Sequence, residues 1–163
     1  MKVIDNFLPD EYFKAIQTSI LSSNFSWNYS EGIVDPVDEN YQFVCCLYDN
    51  EGLHPIKDKV SESTVMLIQP ILHKLKAYNL YRIKANLTLK TQEHDHTKFH
   101  TDYPDMTTAI LYINTNNGWT NFKNGDKVEC VSNRIVIFDS NLEHEGVTCT
   151  DQNRKVVINF NYV

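Results

Sequence analysis

Three things are missing from this chain, and each absence removes a class of protein. No run of apolar residues approaches the ~20 that a membrane-spanning helix needs, so no membrane partner is expected. The cysteines are Cys45, Cys46, Cys130 and Cys149, and no Cys-x-x-Cys pair occurs among them. Thiolate zinc sites and dithiol redox motifs are therefore excluded, and the four are expected as buried or half-buried thiols in a reducing cytoplasm. An excess of positive charge is also missing. The formal net charge is −6, which disfavours a nucleic-acid partner held by broad phosphate neutralisation. The stretch from Met1 to Pro9 carries Asp5 where a signal peptide requires apolar residues, so a cytoplasmic protein is expected. Linkers, internal repeats and low-complexity tracts are absent too.

What is present is ordinary globular composition: 163 residues, 42% hydrophobic and 22% charged, enough for one domain with a real core. Residues 1–163 are expected to form that domain, with 1–80 as helical and edge-strand support and 81–163 as a β core. Met1 to Phe7 suits a strand at a sheet edge. Pro9, Asp10 and Glu11 suit a helix start, followed by a stripe of Tyr12, Ile16, Ile20 and Leu21. Asn24 to Asn40 reads as loop with short extended pieces, Tyr41 to Tyr48 as a strand, and 49–52 as a turn. Val60, Val65, Ile68, Leu72 and Leu75 space a second amphipathic helix over Ile56–Ala77, with a kink or restart near Gln69 because of Pro70. His54 and His73 are expected at its surface or in its packing.

Tyr81 to Lys90 alternates with period two. Ile83, Ala85, Leu87 and Leu89 share one face; Arg82, Lys84, Asn86, Thr88 and Lys90 share the other. Polar inward and apolar outward fits a jelly roll whose outer face is covered by helices and whose inner face lines a polar site. Further strands are expected over Thr107–Asn114, Lys127–Val131 (after an Asn124-Gly125-Asp126 turn), Arg134–Phe138 and Val156–Tyr162. His144 is expected in the loop Ser140–Val147.

The chemistry gathers around His100-Thr101-Asp102, answered by His144 and, ten positions later, by Arg154. Two imidazoles and one carboxylate take one face of a ferrous ion and leave three positions open for reaction. Arg154 suits a carboxylate anchor, since its planar fork pairs with that group in a fixed geometry. Lys155 is adjacent, but strand alternation lets only one of the two point inward. His94 and His96 lie in a hydrophilic stretch with no matching third ligand, and a place on the lip of the site is expected for them.

His-x-Asp…His…Arg, with the ligands at strand ends, resembles the Fe(II)/2-oxoglutarate-dependent oxygenases, and most closely their prolyl 4-hydroxylase-like branch. The opening Val-Ile-Asp-Asn-Phe-Leu-Pro is similar to how many of its small members begin. The resemblance implies a mainly β fold with flanking α: a double-stranded β-helix, or jelly roll, with helices packed on one sheet. It implies Fe(II) held by His100, Asp102 and His144, with 2-oxoglutarate and O2 as cosubstrates, and it admits ascorbate as a reductant. The far carboxylate of 2-oxoglutarate would meet Arg154, where the family carries its basic residue, and Tyr112, from the pattern Tyr112-Ile113-Asn114. Thr108 matches a small hydroxyl four residues earlier, and Asn86 or Thr88 a polar pocket residue. Asn116-Asn117-Gly118-Trp119-Thr120 partly matches a Gly-Gly-x-Thr turn, with one Gly present. The implied activity is hydroxylation of a C–H bond, first of a peptidyl proline, with a free amino acid or other small molecule as the alternative. The metal set also allows a cupin-like metal-binding module without oxygenase activity, which would leave Arg154 and Tyr112 without a purpose.

Overall fold

The computed structural model describes residues 1–33, 40–50 and 62–163. The expected turn at 51–52, His54 and the proposed helix start at 56–61 lie outside the described residues. In chain order the elements are β1 (Lys2–Ile4), α1 (Asp10–Leu21), β2 (Asn28–Glu31), β3 (Tyr41–Asp49), α2 (Glu62–Leu75), β4 (Leu80–Leu89), β5 (Thr107–Tyr112), β6 (Trp119–Phe122), β7 (Lys127–Glu129), β8 (Ile135–Asp139), β9 (His144–Val147) and β10 (Arg154–Tyr162).

Among the described residues, ten strands form two sheets. The larger has the order β1-β8-β5-β10-β4-β3-β2 and the smaller β7-β6-β9, and the fold is a jelly roll with its helices on the larger sheet. Period-two alternation in the central strands makes this arrangement, because each strand serves two different layers. Ile83, Ala85 and Leu87 of β4, Leu111 of β5, and Val156, Ile158 and Phe160 of β10 point outward. They pack with Phe13, Ile16 and Ile20 of α1 and Ile68 and Ile71 of α2. The opposite faces look into the space between the sheets. There a smaller apolar cluster, including Ile110, Tyr112, Phe122 and Phe138, closes one part of the interior, and polar residues line the rest.

Two local expectations change. α2 runs through Pro70 as one helix, since the helix loses one hydrogen bond there without losing its packed face. The segment carrying His144 is not a plain loop. It is strand β9, antiparallel to β6 with His144 opposite Phe122; its His-Glu-Gly-Val sequence has too little β-branched content to announce a strand. Gly118, just before β6, lies so close to the backbone there that a Cβ would stand 2.7 Å from the Val147 carbonyl oxygen, so the approach requires glycine.

Candidate metal centre and its cavity

His100 and His144 exchange backbone hydrogen bonds, His100 N to His144 O at 3.0 Å and the reverse at 2.9 Å. This bridge brings the loop after β4 onto β9. Asp102 N donates to Ser140 O, which ties the same loop to the β8–β9 turn. As a result one ligand atom each from His100, Asp102 and His144 falls within 4.8 Å of the others.

The surroundings orient these atoms. The Nδ1 of His100 lies 3.0 Å from Lys98 O and that of His144 lies 3.1 Å from Leu142 O. A carbonyl only accepts, so each Nδ1 carries the proton and each Nε2 keeps its lone pair, the tautomer a metal ligand needs. Asp102 Oδ2 accepts from Thr108 Oγ1 at 2.8 Å and from Asn161 Nδ2 at 3.0 Å. Its Oδ1 faces Arg82 Nη2 at 3.6 Å, an ion pair too long to be a hydrogen bond. Burial pushes the Asp102 carboxyl up, but His144, Thr108, Arg82 and Asn161 outweigh it and hold the group below its usual range. Burial and the neighbouring His100 push the His144 imidazole down, against Asp102. Two imidazoles whose Nδ1 atoms are already engaged by carbonyls, with an ionised carboxylate, are a donor set that fits Fe(II).

The triad opens onto a cavity of about 350 Å³. Arg82, Lys84, Asn86 and Thr88 of β4 line it, as the alternation of that strand predicts, together with Lys155, Val157 and Asn159 of β10. Asn86 Oδ1, Thr88 Oγ1 and Asn159 Oδ1 are buried without a hydrogen-bond partner among the described residues. Unpaired buried acceptors are costly, and three in one cavity mark a place built for a polar ligand.

Arg154 requires correction. Its side chain leaves the cavity and donates from Nη2 to Leu21 O, 2.6 Å away at the end of α1. The reason is alternation: Arg154 shares its face of β10 with Val156, Ile158 and Phe160, which pack toward the helices. Lys155 occupies the cavity instead, 7% exposed, its Nζ donating to Trp119 O and Val147 O at 2.8 Å each. It makes no ion pair among the described residues, and burial pushes its ammonium down, with Cys130 and Cys149 opposing.

Thr108 is corrected as well. It stands opposite Asn161, and its hydroxyl serves Asp102. Tyr112 faces the interior fully buried, but its hydroxyl donates to Thr120 Oγ1 at 2.8 Å, and Thr120 is the residue that lines the cavity. Asn86 lies in the cavity wall as expected. His94 and His96 turn toward Trp119, with ring centroids 4.6 and 5.9 Å away, and bond Thr148 O and Glu145 Oε1; they stand apart from the triad.

Lys155, Thr120, Arg82 and Asn161 are the residues the sequence reading missed. Lys155 had a signal. β10 carries Lys155, Asn159 and Asn161 on one face and Val156, Ile158 and Phe160 on the other, and the polar-inward rule already applied to β4 selects Lys155. Counting ten residues from His144 overrode it.

No protein-family model matches the chain, and no curated protein matches it. Solved structures do. A prolyl 4-hydroxylase from Pseudomonas putida is 16% identical at a TM-score of 0.60, over 99% of this chain and 91% of that one. A prolyl hydroxylase from Trichoplax adhaerens, in complex with a hypoxia-inducible-factor peptide, is 12% identical at 0.65, over 99% and 82%. The non-heme α-ketoglutarate-dependent epimerase SnoN from nogalamycin biosynthesis is 11% identical at 0.65, over 99% and 76%. At these identities the likeness is one of fold, and the fold is that of the 2-oxoglutarate–Fe(II) oxygenases, prolyl 4-hydroxylases among them.

Proposed function

We propose that the chain is an Fe(II)- and 2-oxoglutarate-dependent oxygenase that hydroxylates a C–H bond, with Lys155 as the anchor of the cosubstrate. The observation that carries this reading is the buried ammonium of Lys155, without a counter-ion among the described residues, in the same cavity as the His100–Asp102–His144 triad. A buried charge without its partner costs several kcal/mol; the far carboxylate of 2-oxoglutarate would supply the partner.

In this reading His100, Asp102 and His144 hold the metal through two Nε2 atoms and Asp102 Oδ1. Thr108 and Asn161 fix the other carboxylate oxygen and so the direction of the ligand. The carbonyls of Trp119 and Val147 hold Lys155 Nζ in place without neutralising it. Thr120 and Thr88 offer hydroxyls beside it; Thr88 stands directly opposite Lys155 in the β10–β4 register. With Fe(II) bound, the chemistry supplied is oxidative decarboxylation of 2-oxoglutarate by O2 to succinate and CO2, the second oxygen atom entering the substrate as hydroxyl. Peptidyl proline, the substrate the resemblance implies, draws support from the neighbours named as prolyl hydroxylases; the lining of the cavity favours a small acid instead.

The test is Fe(II)-dependent release of succinate from 2-oxoglutarate in air. It should occur in the parent protein and vanish in His100→Ala and in Asp102→Ala. Undiminished release in either variant would remove the triad from the reaction.

A further inference from the structure

Among the described residues that line the cavity, three are cationic, Arg82, Lys84 and Lys155, and one is acidic, Asp102. Fe(II) adds two positive charges, and 2-oxoglutarate brings two negative ones. Among the described residues the loaded cavity therefore keeps an excess of two positive charges in a largely enclosed place, where such an excess is costly. One of the cations is already engaged. Arg82 faces Asp102, donates to Asn161 Oδ1 at 3.2 Å and lies 4.7 Å from the centre of the Tyr103 ring. Lys155 has its role with the cosubstrate. Lys84 has neither a hydrogen bond nor an ion pair among the described residues.

Position separates Lys84 from the cosubstrate anchor. Lys84 pairs with Asn159, and Thr88 pairs with Lys155. Four residues of strand, about 13 Å at ~3.3 Å each, divide the two ammonium-bearing positions. Lys84 sits two residues from Arg82 on the same face, toward the Asp102 end. Asn159 stands opposite Lys84 in the register and Asn86 two residues along the same face. Their amide oxygens, unpaired among the described residues, accept and so suit a donor group of the substrate while Lys84 takes its carboxylate. Burial, then Arg82, brings its ammonium down to about 8, as expected for a cation awaiting a partner.

We propose that the primary substrate is a small free carboxylic acid whose carboxylate pairs with Lys84 in this cavity. This inference rests on the proposed oxygenase function and names the substrate class of that site. A small acid is favoured over a chain segment because much of the wall is buried, Gln42 and Thr97 being 5% and 7% exposed, with Thr101 at an exposed rim.

The experiment is calorimetry on the full chain loaded with Mn(II) and saturating 2-oxoglutarate, without oxygen. The probes are free α-amino acids and short aliphatic mono- and dicarboxylic acids, each beside its primary amide, and a terminally blocked proline peptide. At least one acid should bind one-to-one, about tenfold or more tightly than its amide. Lys84→Met should weaken that acid by about tenfold or more while holding 2-oxoglutarate within about threefold of the parent. Four results overturn the proposal: no acid binds, an amide binds as well as its acid, the blocked peptide binds where the acids do not, or Lys84→Met loses 2-oxoglutarate itself. The last would assign Lys84 to the cosubstrate. Failure of the underlying function looks different: the parent, with Mn(II) bound, would then take up no 2-oxoglutarate in the first place.

Discussion

A desolvated ammonium without a counter-ion makes the fold pay in stability, and at half-buried Lys84, unpaired among the described residues, the sign of that cost can be worked out. Its folded value, about 8, lies below the unfolded value of about 10.4. The cost is fully present below the folded value and fades as pH rises toward the unfolded one. Metal-free Lys84→Met should thus be more stable than the parent near pH 7, by on the order of 1–3 kcal/mol, and the two urea midpoints should converge by about pH 10. Comparing the pair cancels the opposite trend from Cys46, Cys130 and Cys149, whose thiols burial pushes up. A constant gap across that range would mean that Lys84 is not the titrating group. At the metal, Thr108→Val removes one of two donors to Asp102 Oδ2. It should weaken Mn(II) binding by about tenfold or more without unfolding the chain, as titration of bound Mn(II) will show. Unchanged affinity would leave Thr108 a packing residue only.

Elements explain what single residues do not. The outward face of β10 is apolar because it meets the helices, and Arg154 is carried outward with it. There its guanidinium meets a terminal carbonyl of α1, a helix with no basic residue in its last turn, and so supplies the positive charge that a helix end favours. Arg154→Ala should lower the thermal midpoint modestly, by roughly 0.5–1 kcal/mol of stability, and leave 2-oxoglutarate binding intact. Ile16, 1% exposed between α1 and the sheet, should cost about 2–5 kcal/mol as Ile16→Ala by denaturant titration. The face of a strand was legible wherever polar and apolar residues alternate cleanly, as in β4. It was legible in most of β10 too, where Val157 on the inward face and Arg154 on the outward one break the pattern. β9 was not legible, because a four-residue strand held by its neighbours carries little propensity of its own. Thr108 and Tyr112 were placed on the correct face, but which partner each hydroxyl meets depends on cross-strand register, which one strand cannot reveal.

For the molecule as a whole, the jelly roll with helices on one sheet followed from amphipathic spacing and the resemblance together. The His100–Asp102–His144 cluster was legible from the His-x-Asp…His pattern, although these residues lie in the loop before β5 and at the start of β9, not at the ends of strong strands. Less visible was the charge of the interior. Arg82 and Lys84 share β4, Lys155 lies far along the chain in β10, and the three become one cationic cavity only when those strands pair. Filling that cavity should stabilise the whole fold, since metal and cosubstrate bind the native state. Mn(II) with 2-oxoglutarate should raise the melting temperature beyond Mn(II) alone, and Lys155→Met should lose that second increment.

The most direct test is calorimetry of 2-oxoglutarate binding to the Mn(II)-loaded protein without oxygen, in the parent, Lys155→Met and Arg154→Ala. The account predicts metal-dependent one-to-one binding in the parent and in Arg154→Ala, and its loss in Lys155→Met. Parent-like binding in Lys155→Met would contradict the anchor. No binding in the parent, with Mn(II) shown to be present, would contradict the oxygenase reading and leave a metal-binding module of the same fold.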